Sequence, residues 1–136
     1  MTRSGRQFGD RGNGGAVEPA DGSREVERAH LAVEQEDFEA LRDLLDAGVD
    51  VHAEETDGFT LLHHAIDVEI EGMTQGGEIH VDMTAYLLAR GADPTRASHG
   101  GRGLSAEHMA FVGGHWVAAT LFTAWRRERG RGEIGS

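Results

Sequence analysis

The sequence predicts an all-α chain, a solenoid of about three stacked helix–turn–helix repeats with projecting loops. Three observations carry this. A His-x-Ala tripeptide recurs as His30-Leu31-Ala32, His63-His64-Ala65 and His108-Met109-Ala110, with steps of 33 and then 45 residues. A closing segment recurs as Leu44-Leu45-Asp46-Ala47-Gly48-Val49-Asp50 and Leu87-Leu88-Ala89-Arg90-Gly91-Ala92-Asp93. The apolar residues between these marks fall at three- and four-residue spacing, the period of an amphipathic helix. A fixed period near 33 residues marks a stacked-repeat architecture, for which about three units are the minimum.

Residues 1–22 hold Gly5, Gly9, Gly12, Gly14, Gly15 and Gly22 among polar neighbours. Such a stretch cannot bury enough surface to offset its ordering entropy, so it is expected to be a disordered tail, as is 130–136. The repeat domain is then 23–129. Ser23 is placed to cap a first helix through Val26, Leu31 and Val33, whose Arg24, Glu25, Glu27 and Arg28 turn a polar face to solvent. Phe38, Leu41, Leu44 and Leu45 form the second helix, which Gly48 ends. Residues 49–59 suit an extended loop or hairpin. Thr60 caps the next helix, with Leu61, Leu62, Ala65 and Ile66; its partner runs from Asp82 to Arg90, with Met83, Tyr86, Leu87 and Leu88 inward. A second loop covers 91–103. The last pair runs from Ser105 to Val112 and from His115 to about Arg129.

The spacing is uneven in one place. Ala65 to Leu87 is 22 residues, against 12 from Ala32 to Leu44, which leaves a ten-residue insertion in the second repeat. The second loop is two residues longer than the first.

Helix, tight turn, helix and projecting loop, with these residues, resembles the ankyrin-repeat family over residues 24–126. The family's opening motif Gly-x-Thr-Pro-Leu-His-x-Ala reads here as Gly58-Phe59-Thr60-Leu61-Leu62-His63-His64-Ala65, and more weakly as Gly103-Leu104-Ser105-Ala106-Glu107-His108-Met109-Ala110. The closing motif Leu-Leu-x-x-Gly-Ala-Asp is complete at Leu87 to Asp93 and has one change, Val49, at Leu44 to Asp50. The motif proline is missing, with Leu61 and Ala106 in its place. The resemblance implies that the motif histidines are structural, each bonded to the hydroxyl three residues before it: Thr60 with His63, Ser105 with His108, and His30 as the remnant of a first copy. It also implies that partner proteins are bound through the loop tips and the adjoining helix face.

Net charge is −11, and between Arg24 and Trp125 nineteen acids face six arginines, a balance of −13. Such a field repels nucleic acid and anionic membranes and speeds encounter with a basic partner. The absence of cysteine excludes disulfides, thiolate metal sites and thiol nucleophiles. No apolar run approaches the length of a membrane span, and the leading residues carry no signal-peptide core, so the expected compartment is the cytoplasm.

No phosphate loop, nucleophile elbow or His-Glu-x-x-His motif is present, so the chain is expected to be non-enzymatic and without cofactor. The expected function is a protein-interaction module with an acidic surface for a basic partner protein. The alternatives are an immunity or antitoxin-like inhibitor of a basic toxin, or a metal- or ligand-sensing domain using the insertion. Candidate partner-binding residues are Asp50, Glu54, Glu55, Asp57 and Phe59 on the first loop and Arg96, His99 and Arg102 on the second. Asp67, Glu69, Glu71, Gln75 and Glu78 are candidates in the insertion. Between 67 and 82, acids alternate with Val68 and Ile70 before the turn glycines, which suggests a short extended ribbon or an unravelling helix end. Its carboxylates and His80 could hold Mg²⁺, Ca²⁺ or Zn²⁺, but their spacing fits no ligand loop, and no metal site is assigned. Phe111, Trp116, Phe122 and Trp125 gather in the last pair. They are expected to pack on the preceding repeat in a monomer; the alternative is an exposed apolar end that forms a homodimer.

Overall fold

The computed structural model describes residues 23–135, with side chains described for 24–129. Among them the chain is all helical: α1 (Ser23–Glu34), α2 (Phe38–Asp46), α3 (Leu61–Thr74), α4 (Asp82–Ala89), the single turn α5 (Ser98–Gly101), α6 (Ala106–Val112) and α7 (Trp116–Gly135). There is no sheet, only one isolated bridge between Ala97 and Ser105. Among the described residues, no helix is long and apolar enough to cross a membrane. The disorder expected for 1–22 lies outside the described residues. So does the capping side chain expected of Ser23, whose backbone already belongs to α1.

Helix starts follow from short polar side chains. Asp37, Thr60 and Ser105 accept the backbone N–H of Ala40, His63 and His108 at 3.1, 3.4 and 3.1 Å, each satisfying an orphan donor of the first turn. Helix ends share one device. After α1, α2, α3, α4 and α6, one N–H reaches back three residues and the next reaches back five, as in Gly48 to Leu45 with Val49 to Leu44, and Gly91 to Leu88 with Ala92 to Leu87. This closure needs a left-handed residue, and Gly48 (φ +115) and Gly91 (φ +101) supply it without a Cβ penalty. After α1 the place is taken by Glu36 at φ +57.

These closures fold the chain into helix pairs. α1, α3 and α6 pack one against the next in a row, while α2, α4 and α7 lie against α1, α3 and α6 respectively. The row is close because its facing residues are small: Ala29 and Ala32 on α1, Ala65 on α3, and Ala106 and Ala110 on α6 are all buried. Leu41, Leu45, Leu61, Leu62, Ile66, Leu87 and Phe122 fill the space between the helices.

Three expectations need correction. The first half of the insertion is not a ribbon: α3 continues to Thr74, because Ile66 and Glu69 stay on its buried side at helical spacing. The last helix runs past Arg129 to Gly135. The four rings of the last pair do not all pack on the preceding repeat. Phe122 is fully buried and Trp125 half-buried beneath Arg129, but Phe111 and Trp116 are 78% and 64% exposed. Phe111 and Trp116 flank the α6–α7 turn, and no described residue covers them.

Replacement of the two phenylalanines should separate these environments. Phe122→Ala leaves a core cavity and is expected to cost about 3–5 kcal/mol in urea unfolding. Phe111→Ala is expected to stay within about 0.5 kcal/mol of the parent chain; equal losses would contradict the packing.

Candidate interaction surface

The loop between α2 and α3 and the loop between α4 and α6 lie side by side, tied by three polar contacts. His52 Nε2 accepts the N–H of Asp93 at 3.1 Å. Both oxygens of Glu54 accept the N–H of Gly100, at 3.1 and 2.9 Å. The N–H of His99 donates to the carbonyl of Gly58 at 2.8 Å. At that last contact Gly58 has φ +88, and an added Cβ would run into the His99 ring. His99 itself holds φ +55 so that its ring can meet Phe59 edge-on. Each loop is also stiffened internally. Asp50, Asp57 and Asp93 each use Oδ1 to accept an N–H two residues ahead, the local turn for which short carboxylates are suited.

The candidate residues therefore divide by what their side chains already do. Glu54 holds the second loop, Phe59 stacks on His63, and Glu55 Oε1 lies 3.7 Å from His30. Asp50 and Asp57 are exposed beyond their turn bonds, as are Arg96, His99 and Arg102. The insertion candidates sit elsewhere. Asp67, Glu71, Gln75 and Glu78 are exposed toward the far end of α3, whose 14 residues span roughly 21 Å at 1.5 Å per residue. Loop and insertion candidates do not form one site.

Glu69 leaves the surface altogether. It is buried, with Oε1 accepting from Thr84 Oγ1 and His115 Nε2 (both 2.8 Å) and Oε2 accepting the N–H of Thr84 at 3.2 Å. Burial raises its carboxyl above the usual range, opposed by these three donors. His115 is fully buried, and its Nδ1 has no partner among the described residues. The sequence offered one sign of this contact, an acid three residues after Ile66 on a continuing helix. Its partner lies 46 residues away and had no signal.

The motif histidines differ from one another. His63 is buried, its Nδ1 facing Thr60 Oγ1 at 2.7 Å and its Nε2–H donating to the Leu104 carbonyl at 2.7 Å. His30 is buried, donating Nε2–H to the Ala53 carbonyl at 3.2 Å. His108 is exposed; its backbone N–H, not its ring, bonds Ser105. Among the described residues, no ligand set forms in the insertion, where His80 lies 3.9 Å from Asp82. Instead His30, Glu55 and His64 place one ligand-type atom each within 4.8 Å of one another. His64 stands at a variable position of the motif, and its distance of 34 residues from His30, one repeat period plus one, was the signal for this contact. Neither a scan against protein-family models nor a search of curated proteins finds a match.

Burial pushes the His30 and His63 rings below the ordinary imidazole value of 6.5, against the pull of the carbonyls they bond. At these two rings the folded chain then binds fewer protons than the unfolded one. The stability these rings contribute is full above 6.5 and is lost as pH falls through their lowered folded values. The urea midpoint is expected to drop on acidification below 6.5. His63→Gln should lower the midpoint at neutral pH and flatten that drop; a slope equal to the parent's would remove His63 from the acid response.

Proposed function

We propose that this chain is a non-enzymatic, ankyrin-type repeat module whose acidic loop surface binds a basic partner protein. The repeat reading is supported by the inner row of α1, α3 and α6, by the Thr60–His63 contact and by the shared helix closures. The binding reading rests on one observation. The loops are held rigid through backbone groups and inward-facing side chains, leaving the charged ends of Asp50 and Asp57 exposed on a fixed surface. A preorganised surface gives up little entropy on binding, and a net charge of −11 steers cationic partners toward it. Arg96 and Arg102 on the second loop repel the same partner, so a basic segment would align along the first loop. An inhibitor of a basic toxin is one form such a module takes, and the charge balance suits it equally.

Asp→Asn replacements separate charge from structure here, because Asn keeps the Oδ1 acceptor that closes each turn. The double variant Asp50→Asn/Asp57→Asn should melt like the parent. An arginine-rich peptide should bind it several-fold more weakly in calorimetry, and with a shallower salt dependence. Equal affinity and equal salt slope would move the surface away from the loop tips.

A second reading concerns the other end of the molecule. Phe111, Val112 and Trp116 are 78%, 66% and 64% exposed, close to α3 where Gly113 lies against Ile70. We infer that this apolar end supports self-association. Light scattering across a concentration series should then show a dimer that Trp116→Ser abolishes; a monomer at every concentration would end this reading.

A further inference from the structure

Three ligand-type atoms from three separate elements meet between the first two helix pairs. His30 comes from α1, Glu55 from the loop before α3, and His64 from the first turns of α3. His30 Nδ1 is 3.1 Å from His64 Nδ1 and 3.7 Å from Glu55 Oε1. A tetrahedral zinc ion with bonds of about 2.0–2.1 Å spaces its ligand atoms about 3.3 Å apart. The two edges at His30 bracket that spacing, and all three atoms lie within 4.8 Å of one another, so a modest inward movement of the half-buried Glu55 and His64 side chains would close the triangle on an ion.

The protonation pattern also fits. His30 commits Nε2–H to the carbonyl of Ala53 at 3.2 Å, which leaves its Nδ1 lone pair directed into the cluster. A ligand histidine anchored through its other nitrogen to a carbonyl is the usual arrangement at metal centres. His30 is fully buried, whereas His64 and Glu55 are half-buried, so the triangle has a closed side and an open one. Three protein ligands with the fourth position toward solvent is a common coordination for zinc.

We propose that His30, His64 and Glu55 form a two-histidine, one-carboxylate site for a divalent first-row transition cation, with zinc as the best match to the donors. Two imidazole nitrogens disfavour Mg²⁺ and Ca²⁺, which take oxygen ligands. A bound ion would join α1 to the loop and to α3, clamping the first repeat to the second. This assignment does not rest on the partner-binding reading. The competing account of the same geometry is a plain hydrogen bond, with His64 Nδ1–H donating to His30 Nδ1.

The test is a Zn²⁺ titration of the full chain after chelator treatment. One equivalent is expected to bind in calorimetry and to raise the melting temperature, with Mg²⁺ and Ca²⁺ leaving it unchanged. Imidazole ¹H–¹⁵N spectra should shift for His30 and His64 while His63 and His115 stay in place. His64→Gln and Glu55→Gln should each weaken zinc binding about tenfold or more, with unchanged far-ultraviolet dichroism. Absence of zinc binding would leave the hydrogen-bonded pair and overturn the site. So would shifts confined to His80 or His108, or a folded His64→Gln variant that binds zinc like the parent. If either variant fails to fold, the imidazole spectrum of the parent chain decides alone.

Discussion

A buried imidazole offers two nitrogens, and leaving them without partners costs about 1–3 kcal/mol. Three such rings set how the units of this chain join. His30 reaches from α1 to the carbonyl of Ala53 in the first loop. His63 reaches from α3 to the carbonyl of Leu104 in the second. His115, at the start of α7, reaches back to Glu69 on α3. Each ring thereby holds a helix to a segment 23, 41 or 46 residues away. Apolar burial brings the helices together without fixing their register, and directional bonds between buried groups supply what burial lacks.

The helices need that fixing because they are short. Apart from α7, the longest is α3 with 14 residues, and α6 has seven. Helices of that length are marginal in water when isolated. Their persistence depends on capped starts, closed ends and the alanine-lined row through α1, α3 and α6. The loops inherit their order from the same source. Leu104 and Ala53 are loop residues held by buried histidines, so the surface carrying Asp50 and Asp57 is anchored from beneath as well as tied from side to side.

Much of this was legible in the sequence for a physical reason. Helix caps and closures are local, so Thr60, Ser105, Gly48 and Gly91 announce themselves within a few residues. What failed was non-local. The alternation of Val68, Glu69, Ile70 and Glu71 reads as period two when only their polarity is considered. It is a helix because Glu69 has buried donors in Thr84 and His115, which supply the environment that polarity alone argued against. His108 illustrates the opposite error. It shares the motif of His63, but among the described residues no loop lies over it as the one carrying Leu104 lies over His63, and its ring stays exposed. His64 fell between the two. It occupies a variable place in the repeat, and its contact is with His30, 34 residues earlier.

Glu69 also bears on where function can reside. The insertion lengthens α3, and one of its five candidate polar side chains is consumed in a buried network that binds α3 to α4 and to the start of α7. An extension used in this way first serves the fold, since it provides the acceptor that allows His115 to be buried. Of the remaining carboxylates, Asp67 and Glu71 are left exposed on the other side of the same helix, and Glu78 is exposed beyond its end. The molecule therefore has two chemically distinct ends. The loop end is polar and tied by hydrogen bonds between its two loops. The turn end is apolar, with Phe111, Val112 and Trp116 exposed. A single partner cannot engage both through the same chemistry, because charge-led binding weakens with salt while apolar burial does not.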